Sequence, residues 1–179
     1  MRKNILIYGL ISGIIVSVIM LFSINYYSHC EGKVDWNTSM LIGYASMLIA
    51  FSMVFVGIRN YRDKYNNGVI SFGKAFKIGI LIVLIASTMY VVSWLIYFFF
   101  FNPNFLENYS IHEIENMKAD GATVSEIESK TKEMKEFGKM YKNPFFNALM
   151  TYAEILPVGL IVSLISSLIL KRKTKNNTI

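Results

Sequence analysis

Glu154 is the one acidic residue inside an otherwise apolar stretch of this chain. A carboxyl group there is costly unless a proton, a hydrogen bond or water reaches it, so it is a candidate for proton relay or cation binding. Pro157, three residues on, cannot donate to the carbonyl of Ala153, which predicts a helix kink beside the acid. Counting back from Leu170 at about 1.5 Å per residue puts Glu154 about 24 Å from the inner boundary of a bilayer. In a hydrocarbon core roughly 30 Å thick it then lies about 6 Å below the outer edge. The same arithmetic brings Tyr44, Trp94 and Tyr97 to a similar level, as neighbours able to hydrogen-bond it. No Lys or Arg lies inside any apolar segment, so Glu154 is expected to be protonated, bonded to such tyrosines or wetted from outside. The plainer reading is a structural acid that closes a helix bundle.

Nothing else in the chain has the spacing of a catalytic, cofactor or metal site. His29, Cys30 and Glu31, or His112 with Glu115, hold metal-ligating types, but two histidines on separate loops make no cage, and solvated loop residues are expected. No Ser-His-Asp set or nucleophile elbow is recognisable. The glycines of Asn67-Gly68 and Ser71-Phe72-Gly73-Lys74 have neither the Walker nor the dinucleotide spacing, so no phosphate cradle is read there. Two stripes of small residues do carry structural meaning: Gly9-x-x-x-Gly13 followed by Ser17, and Gly159-x-x-x-Ser163-x-x-x-Ser167. Such stripes predict close helix approach, within the chain by default or between copies.

The elements that would position these residues follow from composition. Of 179 residues, 54% are hydrophobic and only 17% charged, more apolar surface than a soluble domain of this length can hide. Four segments stand out: Ile5 to about Tyr26, Ser39 to Ile58, Ile78 to Phe101, and Phe145 to Leu170. The first holds about 22 uncharged residues, roughly 33 Å of helix, too long for a signal-peptide core and with no small-x-small site after it. The third ends in Tyr97-Phe98-Phe99-Phe100-Phe101 and is stopped by Asn102-Pro103. The fourth opens on Asn143-Pro144, an N-cap followed by proline at the first helical position. The predicted class is an all-α, four-helix polytopic membrane protein, one membrane domain over residues 1–179, with the lipid bilayer as its first partner.

Charge sets the expected orientation. The net charge is +6, but the basic residues flank apolar segments rather than forming a patch interleaved with aromatics, which excludes nucleic acid as a partner. The N-terminus, the second connection and the tail together hold eleven basic residues and one acid, Asp63. The first connection has only Lys33, beside Glu31 and Asp35, and the third has six lysines among eight acids. Both ends are therefore expected in the cytoplasm. Tyr26, Tyr27, Trp36, Tyr97 and Tyr152 fall near the predicted outer boundaries, as interfacial aromatics do. Cys30 is the only cysteine; the residues before it do not make a lipid-attachment site, and a free thiol is expected.

The connection over residues 102–143 is the one sizeable polar excursion. Two capping-box patterns stand in it, Ser110-x-x-Glu113 and Thr123-x-x-Glu126, and predict one short helix and one of about 18 residues. They are expected on the outer side, as a docking surface or cap, or simply as a connector packing its own apolar face. Within the second connection, Ser71 can cap the helix that leads into segment three.

Two stretches carry a family resemblance. One is Gly68 to Gly79, reading GVISFGKAFKIG, with Tyr90 and Trp94 in the helix after it. The other is Glu154-Ile155-Leu156-Pro157-Val158-Gly159-Leu160-Ile161, then Ser163-Leu164 and the lysine tail. Together they resemble the domain-of-unknown-function family numbered 4199, small bacterial membrane proteins with no assigned activity. The resemblance implies the same four-helix membrane architecture, with the bacterial cytoplasmic membrane as location, and carries over no catalytic residue.

The expected function is a non-enzymatic assembly, scaffold or regulatory component that contacts a membrane-protein partner or its own copies and needs no cofactor. The alternatives are a small oligomeric transporter or proton-coupled channel built on Glu154, and, third, a membrane enzyme acting on lipid.

Overall fold

The computed structural model describes residues 1–29 and 36–172, with backbone alone over 26–29 and 36–40. The expectations placed on Cys30, Glu31, Lys33, Asp35, Lys173 and Lys175 lie outside the described residues, as do those on the side chains of Tyr26, Tyr27, His29 and Trp36.

Among the described residues all the elements are helical: α1 (Arg2–His29), α2 (Trp36–Tyr65), α3 (Phe72–Ile96), a π-helical turn (Tyr97–Phe101), α4 (Phe105–Ala119), α5 (Val124–Tyr141) and α6 (Pro144–Leu170). Four stretches are long and apolar enough to cross a bilayer, Arg2–Asn25, Leu41–Tyr65, Phe72–Phe101 and Pro144–Leu170. A helix satisfies its own backbone donors and acceptors, which is what lipid requires of a spanning segment. The chain is a multi-pass integral membrane protein.

Sequence and structure differ at several ends. α2 runs past Ile58 to Tyr65, and within this extension Arg59 and Asp63 lie one turn apart and pair at 3.7 Å. α3 starts at Phe72, joining the lead-in helix expected from Ser71 to segment three, and the hydroxyl of Ser71 accepts the Lys74 N–H at 3.4 Å. Left-handed Asn67 (φ 51) and Gly68 (φ 75) turn the chain between the two helices. α6 begins as the sequence predicts, with Asn143 Oδ1 accepting from Phe145 N at 2.9 Å. It continues through Pro157 to Leu170.

The described residues divide into two compact units, those up to Val91 together with those from Tyr152 on, and Val92–Thr151. Unit 1 is a bundle of α1, α2, most of α3 and the later part of α6, and glycines set how closely its helices approach. Added Cβ atoms on Gly9 and Gly13 would stand 2.8 Å from Ile85 Cβ and 2.6 Å from Met89 Sδ, so these two positions of α1 receive two successive turns of α3. Gly57 of α2 admits Ile82 and Tyr8 in the same way. Between α3 and α6 the accommodation is reciprocal, Gly79 lying against Ser163 and Gly159 against Val83. Four residues separate the members of each pair, so each helix offers one glycine and one knob per turn to its antiparallel neighbour. Ser12 Oγ donates to the Ala50 carbonyl at 2.8 Å, and Ser167 Oγ to the Ser163 carbonyl at 2.7 Å. Ser17 is buried as well.

Ile85 Cβ is fixed to its backbone and cannot rotate away, so Gly9→Ala is expected to cost about 1–3 kcal/mol of stability. Gly43 has nothing within 4 Å of an added Cβ, and Gly43→Ala is expected to leave the protein as stable or slightly more so. Unfolding midpoints of the two variants in detergent micelles check this; equal effects would remove the role assigned to Gly9.

Candidate functional site

Unit 2 gathers the aromatic residues around one buried amide. Asn147 lies in the first turns of α6, placed there by the Asn143 cap and by Pro144, and is 0% exposed. Its Oδ1 accepts the indole N–H of Trp94 at 2.9 Å, and the same N–H reaches Tyr141 Oη at 3.2 Å. Asn147 Nδ2 donates to the Tyr141 carbonyl at 3.4 Å, and Thr151 Oγ1 donates to the Asn147 carbonyl at 2.9 Å. A buried amide costs little when its donors and acceptors are met in this way.

Rings enclose this centre. Phe105 meets Trp94 edge-on at 5.2 Å, Phe98 meets Tyr141 edge-on at 5.4 Å, and Phe137 lies 5.3 Å from Tyr141. The run Tyr97–Phe101 forms a π-turn, closed by Asn102 N donating to the Tyr97 carbonyl at 2.9 Å. This extra residue per turn leaves Phe98 inside while Phe100 and Phe101 face outward. α4 starts at Phe105, after Asn104, with Phe105 packed on Trp94. Ser110 therefore sits inside α4, with its hydroxyl donating to the Leu106 carbonyl at 2.7 Å, and is not the cap its spacing predicts. Tyr109 stacks on Phe105; burial, and secondarily Glu113, push its phenol above the usual range.

The second capping box is present in full. Glu126 N donates to Thr123 Oγ1 at 3.4 Å, and Glu126 Oε2 accepts the Thr123 backbone N–H at 2.8 Å. The Thr123 backbone N–H first, and then the Thr123 hydroxyl donating to the same Oε2 at 2.7 Å, hold the Glu126 carboxyl below its ordinary value.

The residues picked from sequence are distributed over both units. Trp94 and Tyr97 stack at 6.3 Å in unit 2, where the Trp94 donor goes to Asn147 and Tyr141, and the Tyr97 hydroxyl accepts from Asn102 at 3.4 Å. Glu154, Pro157 and Tyr44 belong to unit 1 and are exposed on its helices. No hydrogen bond or ion pair joins the Glu154 carboxylate to another described residue. Two residues before it, Tyr152 Oη donates to Thr88 Oγ1 at 2.8 Å, so the local phenol is engaged elsewhere. Among the described residues no three His, Cys, Asp or Glu side chains stand together as a metal site, and His112 approaches Glu115 only at 3.9 Å on an exposed face.

Asn147 and Tyr141 escaped the sequence reading. The signal was an asparagine inside an apolar segment, four residues before Thr151 on the same helix face, where a donor must be supplied by a neighbour. Chemically the cluster offers amide, indole and phenol groups, which bind and orient but do not readily exchange protons near neutrality. Glu154 is the group with acid–base chemistry to offer, and it points away from its own bundle.

Compared with known protein families, residues 7–172 match the one described as Protein of unknown function (DUF4199). No curated protein and no solved structure matches the chain.

Trp94 and Asn147 are expected to be coupled by about 1 kcal/mol in a double-mutant cycle of Trp94→Phe and Asn147→Ala. Unfolding free energies that simply add would rule the bond out as a contributor. A second expectation concerns pH. Because folding lowers the Glu126 value, its contribution is present above the ordinary carboxylate value and is lost as pH falls through the lower, folded one. Amide exchange at Thr123–Glu126 should therefore accelerate on acidification, after correction for intrinsic rates, and Glu126→Gln should flatten that dependence.

Proposed function

The chain belongs to the DUF4199 family, and on that premise we propose that it is a non-enzymatic membrane component that assembles with, or regulates, another membrane protein or a second copy of itself. One observation carries the reading. Glu154 sits within a membrane-spanning helix, exposed on the surface of its bundle, without a partner from the described residues. A carboxyl group in that position calls for a donor or cation from outside the chain, and a helix of another protein can supply one. α4 and α5 support the same reading, since neither buries a residue and Ile111, Val124 and Met140 stand exposed on them.

A photoreactive amino acid at Ala153, beside Glu154, tests this in native membranes. A discrete crosslinked product identified by mass spectrometry, and weakened by Glu154→Gln, is expected. Recovery of neither a partner nor a self-adduct would remove the proposal. The same exposed acid would serve an oligomeric proton pathway; a proton flux across reconstituted vesicles that Glu154→Gln abolishes would replace the assembly reading with that one.

We further infer a bacterial cytoplasmic membrane with both ends inside: the orientation is supported by the distribution of charge, and the bacterial membrane by the family resemblance. Since Cys30 is the only cysteine, a membrane-impermeant maleimide should label the chain in intact cells. A cysteine at Lys175 in a Cys30→Ser background should be labelled only after permeabilisation. The opposite pattern would invert the topology.

A further inference from the structure

Every described basic residue of unit 1 lies at one end of its bundle, and hydrogen bonds between elements hold that end together. These residues are Arg2 and Lys3 on α1, Arg59, Arg62 and Lys64 on α2, Lys74 and Lys77 on α3, and Lys171 and Arg172 after α6. Asn4 Nδ2 donates to Asn60 Oδ1 at 3.3 Å, and Asn60 Nδ2 to Tyr8 Oη at 2.9 Å, which ties the start of α1 to the end of α2. Arg62 Nη1 reaches the Leu170 carbonyl at 3.4 Å and ties α2 to the end of α6. Ile70 and Arg172 exchange both main-chain bonds, Ile70 N to Arg172 O at 3.0 Å and Arg172 N to Ile70 O at 2.9 Å. Lys74 Nζ donates to Asn66 Oδ1 at 2.8 Å and stands 5.2 Å over the Tyr61 ring.

The charges on this rim are not spent on one another. Asp63 is the one acid among them, and it is taken by Arg62 at 2.6 Å and Arg59 at 3.7 Å. Lys77, Lys171 and Arg172 are exposed and have no acidic partner among the described residues. The bridge to Ile70 uses only the backbone of Arg172, so it holds the residue in place while leaving the guanidinium free. Fixed, unpaired cations at the end of a transmembrane bundle lie at headgroup depth, where anionic phosphodiesters are the abundant complementary charge.

We propose that this rim is a preorganised binding surface for the headgroups of anionic phospholipids, with Lys77, Lys171 and Arg172 as the residues that contact them. It is independent of the assembly reading, because Glu154 takes no part in it. Positive charge near a membrane attracts such lipids diffusely; here the backbone bridge and the Arg62 bond hold the backbone that carries Lys171 and Arg172, and Lys77 stands on helix α3, so retained lipid molecules are expected.

The test uses the full chain released from vesicles of equal phosphatidylcholine and phosphatidylglycerol, with bound lipid read by native mass spectrometry. Phosphatidylglycerol should be enriched at least about fivefold in the retained lipid. Lys77→Gln, Lys171→Gln and Arg172→Gln together should abolish that enrichment, while Lys130→Gln, Lys132→Gln and Lys135→Gln on α5, an equal loss of charge, should leave it unchanged. Trp94 fluorescence monitors folding, and Lys171→Gln alone, at an exposed position, should give a partial loss. Enrichment that survives the first triple variant, or falls equally in the second, overturns the proposal. So does displacement of the lipid by millimolar inorganic phosphate, which would assign the rim to a soluble phosphate compound.

Discussion

Inside a bilayer no water competes for backbone hydrogen bonds and no hydrophobic force presses one helix against another, so this bundle is held by how closely its helices can approach. That constraint makes the glycines of unit 1 the positions on which its packing depends. Gly9 and Gly13 let α1 take two successive turns of α3. Gly79 and Gly159 let α3 and α6 exchange a knob for a hole in both directions. Dispersion between packed atoms falls off within an ångström of contact, so the absence of four methyl groups decides which helices are neighbours.

Polar groups are placed by the same logic. Within unit 1 two buried hydroxyls bond to helix carbonyls, Ser12 to Ala50 and Ser167 to Ser163, which meets the donor without opening the helix. The strongly polar groups gather at the basic end, where Asn4, Asn60, Tyr8, Arg62 and the Ile70–Arg172 bridge connect four segments that are distant in sequence. Unit 2 solves a different problem, the burial of a whole amide at Asn147. It does so by bringing the Trp94 indole and Tyr141 to that amide and surrounding it with rings.

Glu154 differs from these groups in carrying an ionisable carboxyl on the exposed side of a span. The chain supplies partners for Asn147, Arg62 and Glu126, but its one acid within a candidate span outside the α2 basic end looks outward from α6. A side chain left unmet by its own fold, in a solvent that penalises it, is where an interaction with another molecule has the most to gain. Nothing comparable marks Tyr44 or Pro157, which share its exposure but carry no charge.

What the sequence determined by itself was the arrangement along the chain: four apolar segments, the Asn143-Pro144 start of α6, the Ser71 cap of α3 and the Thr123–Glu126 capping box. These are local, written in windows of a few residues whose helical geometry follows from propensity and capping. Small-residue stripes were legible too, though not which side chains would fill them, because Ile85 and Met89 lie far from Gly9 and Gly13 in sequence. The start of α4 was misplaced for the same reason: Ser110 has the spacing of a cap, but Phe105 packs on Trp94 and begins the helix earlier. Only the tertiary structure decided that Trp94 serves Asn147, and that Glu154 turns away from the bundle it helps to build. Depth in the membrane can be counted along a helix, whereas the direction a side chain faces depends on which neighbours pack against that helix. Periodicity carries little of that when every side of a span is apolar.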